Sequence, residues 1–161
     1  MIILQLFLYC ALFTMMIKIA VGNNAINGLY FYPKAVQARA IEIGLTDRKT
    51  MDRKRTLFMI PFVIIMLTAL ILIIGVWNRI SDFKSAYLQA LLFLEVMNWY
   101  DGIVIDKLWV GISRFWLLPG CEDISYVQTW EQILKKRGIL TGIWIAGAAI
   151  TAGIAVLAFG K

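Results

Sequence analysis

TLFMIPFVIIMLTALILIIGVW, residues 56–77, carries no charged side chain from one end to the other. As an α-helix rising about 1.5 Å per residue, it is long enough to cross a hydrocarbon core about 30 Å thick. A second run, ILTGIWIAGAAITAGIAVLAF (139–159), has a comparable length and the same lack of charge. The composition agrees with them. Of 161 residues, 61% are hydrophobic and only 16% charged, and the mean hydropathy is +0.77. Soluble domains carry charge on about a quarter of their residues. The chain reads as a polytopic membrane protein.

Two further spans complete the pattern. MIILQLFLYCALFTMMIKIAV (1–21) ends near Ala20-Val21-Gly22, where a signal peptide could be cleaved. No basic residue precedes its apolar part, Lys18 lies close to the cleavage position, and the stretch is long for a removable signal. It reads as a retained span. The fourth lies in SDFKSAYLQALLFLEVMNWYDGIVIDKLW (81–109), where apolar character resumes after each acidic residue. The expected architecture is all-α: one integral membrane domain, a bundle of four transmembrane helices near 2–22, 56–77, 84–104 and 139–159.

Charge then orients the bundle. Twelve Lys and Arg residues fall in the connections 23–55 and 105–138, against Arg79, Lys84 and Lys161 on the other side. The positive-inside bias puts both long connections in the cytoplasm and both termini outside, with the plasma membrane the expected location. The net charge of +6 does not indicate nucleic-acid binding. These bases flank helix ends, where they meet anionic lipid, and DRKTMDRKR (47–55) lacks the interleaved aromatics of a single-strand platform.

The cytoplasmic connections carry helix signals of their own. Pro33 opens AVQARAIEIGL and Gly44 closes it, after which Thr46 is placed to cap a basic stalk leading into the second span. EDISYVQTWEQILKKRG (122–138) begins with acids, ends with bases and stops at a glycine. Val127, Trp130, Ile133 and Leu134 form its apolar stripe, which predicts an amphipathic helix in the cytoplasmic interface, or docked on a soluble or membrane partner across 122–137. In the last span Gly142, Ala146, Ala149 and Gly153 recur at four-three-four spacing, with Gly147, Thr151 and Ala155 on a neighbouring stripe. Small residues so placed allow close helix approach in lipid, within the bundle or between copies in a homo-oligomer.

The chemistry concentrates in LEVMNWYDGIVIDKLW (94–109). With the helix beginning near Lys84, Glu95 lies about 16 Å into the membrane, with Asn98 and Asp101 at successive turns below. A charge at midplane costs roughly 2.5–3.5 kcal/mol on insertion scales, so Glu95 must face protein, find a partner or stay neutral. Lys18 is the one basic residue inside another span, and its depth matches that of Asp101, which predicts a Lys18–Asp101 pair. Asp106 and Lys107 read as residues of the cytoplasmic end. Glu95, Asn98, Asp101 and Lys18 are therefore the candidate site for a proton or cation.

Other chemistry is excluded by absence. With no His in the chain there is no haem held by His, no His-metal centre and no His-based catalytic triad, and no cofactor is predicted. RKRTLFMIPF (53–62) resembles the basic start followed by proline at the base of the second span in the four-span membrane-associated glutathione and eicosanoid enzymes. That resemblance, with the shared length and outside termini, implies an enzyme acting on a lipophilic substrate. Thr56, Leu57 and Phe58 stand where those enzymes carry the Asn and Glu of the motif. The residues themselves point instead to an oligomeric channel, transporter or transporter subunit handling a cation. A membrane adaptor subunit is the remaining alternative.

Overall fold

A computed structural model describes residues 1–160. Among these residues the order is α1 (Ile2–Val21), a 3₁₀ segment (Ala25–Phe31), α2 (Lys34–Glu42), α3 (Arg48–Trp77), α4 (Phe83–Ile112), a 3₁₀ turn (Arg114–Trp116) and α5 (Trp130–Phe159). The described residues are helical with no strand, and α1, α3, α4 and α5 are each long and apolar enough to span a membrane.

The four long helices close into a ring. α1 packs on α3 and α4, and α5 packs on α4 and α3, the α4–α5 pair being the most extensive. The reason is written in the buried positions. α1 buries Gln5, Tyr9, Phe13, Ile17 and Val21, one residue every four, so a single stripe faces its neighbours. α4 and α5 meet through Ala86 and Ala90 on one side and Ala148, Ala152 and Ala155 on the other, all fully buried. Without large side chains between them the backbones approach closely, and dispersion holds them. Outward faces are mostly apolar: Ile3, Phe7, Leu57, Ile64, Ile143 and Leu157 are all exposed. That is the surface of a membrane-embedded protein.

The two ends of the bundle are sealed differently. At the end holding the chain termini, the buried Gln5 and the half-buried Asn78 exchange amides: Gln5 Nε2 donates to Asn78 Oδ1 at 2.6 Å, and Asn78 Nδ2 to Gln5 Oε1 at 3.1 Å. Asn78 is delivered by a π-wound turn, Ile73–Trp77, that ends α3. At the opposite end the connections fold over the helices. α2 starts at Pro33 and closes at Gly44, where φ is +77°. The Leu45 N–H reaches the Ala40 carbonyl at 2.9 Å and the Gly44 N–H the Ile41 carbonyl at 3.1 Å, the paired bonds of a Schellman cap.

Three expectations are corrected here. The cap of α3 is Asp47, not Thr46; its carboxylate accepts from the Thr50 N–H at 2.8 Å and the Thr50 hydroxyl at 2.6 Å. The bonds from the Thr50 hydroxyl and N–H hold the Asp47 carboxyl below its ordinary value, so this cap is lost only as pH falls through that depressed value. Helix α4 does not stop at 104 but runs to Ile112, and Asp101–Trp109 are wound as a π-helix. Nor is there a separate interfacial helix over 122–137. Residues 117–129 are irregular, and α5 starts at Trp130 and continues through Gly138 into the span without a break. Thr129 and Gln132 form a capping box at its start, a stronger signal than the acids at Glu122 and Asp123. Of the expected stripe, Ile133 is buried, Val127 half-buried, and Trp130 and Leu134 exposed.

The amide pair gives a test of the terminal seal. Gln5→Leu leaves the Asn78 amide without its partner and should cost about 1–3 kcal/mol. The double variant Gln5→Leu/Asn78→Leu should recover a measurable part of that loss. Thermal unfolding midpoints in detergent would show both.

Candidate functional site

The decisive residue is Arg137, seven residues into α5 and only 1% exposed. Its guanidinium Nη1 donates to Asp101 Oδ2 at 2.7 Å and Nη2 to Asp106 Oδ2 at 2.6 Å. Asn98 Oδ1 receives a longer bond from Nη1 at 3.4 Å. Asp106 Oδ2 also accepts from Lys136 Nζ and Gln128 Nε2, each at 3.1 Å. One cation is thus gripped by two carboxylates of the same helix, five residues apart.

An ordinary α-helix could not present them together. At 3.6 residues per turn, positions five apart differ by about 140° around the axis. In a π-helix the hydrogen bonds span five residues, so Asp101 and Asp106 lie one bonded turn apart on one face. The Val110 N–H donates to the Ile105 carbonyl, a bond with this wider spacing. Gly102 completes the seat. A Cβ there would lie 2.8 Å from Arg137 Nε and 3.1 Å from Ile133 Cγ2, so only glycine lets the guanidinium lie against α4.

Above this cluster the polar stripe continues. The Thr141 hydroxyl donates to Glu95 Oε2 at 2.9 Å, and Asn98 Nδ2 donates to the Arg137 carbonyl at 3.2 Å. Glu95 and Asn98 therefore tie α4 to α5. Glu95 Oε1 is buried with no partner among the described residues.

Lys18 does not take part. Its ammonium lies 4.9 Å over the Phe115 ring, and the partner of Asp101 is Arg137. Depth alone could not separate these two bases, because the Lys136-Arg137 pair reads from sequence as flanking charge. Asp106 is likewise no free end residue: its side chain is 15% exposed and holds three donors. The missed signal lay in α5, where Ile133, Arg137, Ala148, Thr151 and Ala155 share one buried face. The neighbouring stripe turns away from it. Gly142 and Ala146 are exposed, Ala149 and Gly153 half-buried, and a Cβ on Gly142 or Gly153 would meet nothing within 4 Å.

Beside the ion cluster lies a cavity of about 270 Å³. Asp101, Asp106, Gln128 and Lys136 form its polar wall, and most of the remainder is aromatic. Each aspartate uses Oδ2 for its protein donors, and neither Oδ1 has one among the described residues. Glu95, Asn98 and Lys18 do not line this cavity. Comparison of the chain with protein-family models, with curated proteins and with solved structures returns no match.

Removing Arg137 should show how much rests on it. Arg137→Ala leaves two half-buried carboxylates facing each other and should cost about 3 kcal/mol, read as a fall in the unfolding midpoint. The apolar replacement Arg137→Met/Asp101→Leu/Asp106→Leu should be much less damaging, since it removes all three charges together.

Proposed function

We propose that the protein handles a cation, as a small channel, a transporter or the subunit of one, and that its site is the cavity beside Asp101 and Asp106. The observation that carries this reading is the division of labour in the two carboxylates. Their Oδ2 atoms are spent on Arg137, Lys136 and Gln128, while their Oδ1 atoms keep unused acceptor capacity on residues that line a cavity. Ionisable groups within transmembrane helices are costly to keep there and mark ion or substrate paths.

Under this reading the basic connections face the cytoplasm, both termini face outside the plasma membrane, and the cavity opens toward the cytoplasmic half. The exposed faces of Gly142 and Ala146 suit a second copy, in keeping with a homo-oligomer. The apolar walls also favour one second reading, a membrane enzyme for a lipophilic substrate, which would retain such a molecule on purification, detectable by mass spectrometry.

Flux measurements decide between them. In proteoliposomes carrying imposed gradients of protons, sodium or small ammonium ions, the native protein should dissipate at least one. Asp101→Asn and Asp106→Asn should each slow that flux at least about tenfold, the loss of roughly 1.4 kcal/mol of interaction. Equal flux in the native protein and both variants removes these carboxylates from any transport role.

A further inference from the structure

We infer that the cavity takes an organic cation with an apolar body, an amine or quaternary ammonium, in preference to a metal ion, a proton or a neutral lipid. This rests on the cation-handling reading above and names the class of solute.

The walls make the choice. Tyr30, Phe31, Phe58, Phe62 and Phe13 line the cavity and touch one another in sequence. Ring centroids are 4.3 Å apart for Tyr30–Phe31, 5.4 Å for Phe31–Phe58, 5.1 Å for Phe58–Phe62 and 5.5 Å for Phe62–Phe13. Three elements thus contribute to one aromatic surface: the 3₁₀ segment, α3 and α1. Burial pushes the Tyr30 hydroxyl up to about 12, so this ring stays neutral across physiological pH. A cation over such faces is attracted by the ring quadrupoles, most strongly where water is excluded.

Charge on the polar wall has the complementary sign. Asp101, Asp106 and Lys136 are the ionisable carboxylate and ammonium groups that line the cavity, one negative charge in excess. Behind them Arg137 is paired with the Oδ2 atoms of both aspartates, which leaves their Oδ1 atoms as the free acceptors on this wall. Lys107 is turned to the Gln128 carbonyl at 3.0 Å and to the Trp130 ring at 5.3 Å, and does not line the cavity. An anion would meet bases already committed to Asp106 and Asp101.

Competing solutes fit less well. A hard metal ion seeks six or more oxygen ligands, and no group of three or more His, Cys, Asp or Glu side chains is placed to hold one among the described residues. A proton has no use for an aromatic surface. A neutral apolar molecule would desolvate the two Oδ1 atoms without giving them a donor or a positive charge, which is unfavourable.

The test uses benzyltrimethylammonium and its uncharged isostere neopentylbenzene, which replaces the nitrogen by carbon. Binding to the full chain in nonionic detergent is followed by titration calorimetry and by tryptophan fluorescence, since Trp116 lines the cavity. Saturable binding of the ammonium is expected, at least about tenfold tighter than the isostere, and Asp106→Asn should weaken it by a similar factor. Phe58→Leu keeps an apolar side chain and removes only a ring, so it is the variant least exposed to folding failure. It should weaken the ammonium about two- to fivefold and leave the isostere unchanged. Equal affinity for both probes, or no saturable binding of the ammonium, overturns the inference. If proton or sodium flux still depends on Asp101 while the ammonium fails to bind, the solute class is wrong and cation handling stands. If neither flux nor binding depends on the carboxylates, both fall.

Discussion

A guanidinium that cannot reach water governs this fold. Arg137 cannot shed its charge, and it is 1% exposed inside a bundle whose outer faces are apolar. Its desolvation can be offset only by anions at hydrogen-bonding distance, and Asp101 and Asp106 supply them at 2.7 and 2.6 Å. To bring both to one face, α4 must abandon α-helical winding for nine residues between Asp101 and Trp109. To let the guanidinium approach, position 102 must have no side chain. A single buried charge thereby dictates a helix type, a glycine and the pairing of two helices.

The same pairing divides the bundle lengthwise. Toward the chain termini, α4 and α5 join through alanines, a contact that is close but carries no directional information. Toward the connections they join through Glu95–Thr141, Asn98–Arg137 and the ion cluster, which fix register because these directional bonds form together at one offset of the two helices. Small residues set how near the helices come, and polar residues set where along each other they stop. On the far side of the ring, α1, α3 and the 3₁₀ segment pack through aromatic rings instead. The cavity forms where these two kinds of packing meet, since side chains arranged around a rigid ion cluster and side chains stacked as rings do not fill the same space.

The spans were legible because lipid imposes a simple rule: about twenty apolar residues per crossing. So was the importance of the acidic segment, because carboxylates in a span always need an explanation. Asp106 was set aside because its depth gave it the form of a cytoplasmic end residue, and nothing in the sequence announced the π winding that brings it beside Asp101. Arg137 was hidden because a base at the start of an apolar run has the form of a topology signal. Only the α5 face that runs from Arg137 to Ala148 and Ala155 distinguishes it from Lys135, and reading that face requires knowing that the helix does not stop at Gly138. The pairing of Asp101 with Lys18 followed from depth, but depth says nothing about which helices are neighbours at a given angle. The cavity had no sequence signal, since its walls come from segments as far apart as Phe13 and Lys136.

The ion cluster and the cavity share Asp101, Asp106 and Lys136, so a solute in the cavity would act on the stability of the cluster. Each aspartate faces two demands: through Oδ2 it neutralises Arg137, and through Oδ1 it can accept from a solute. A cation near Oδ1 withdraws electron density from the carboxylate and weakens its hold on the guanidinium, while the total positive charge around the two aspartates rises. The π-wound segment is the element that feels this balance, because its geometry exists to keep both aspartates on Arg137. Reversion to α-helical winding would set Asp106 about 140° from Asp101 around the axis and separate the two carboxylates that hold Arg137. A solute beside these carboxylates would therefore act on the π-wound part of α4. Differential affinity for the two windings is what a solute would need in order to move the helix.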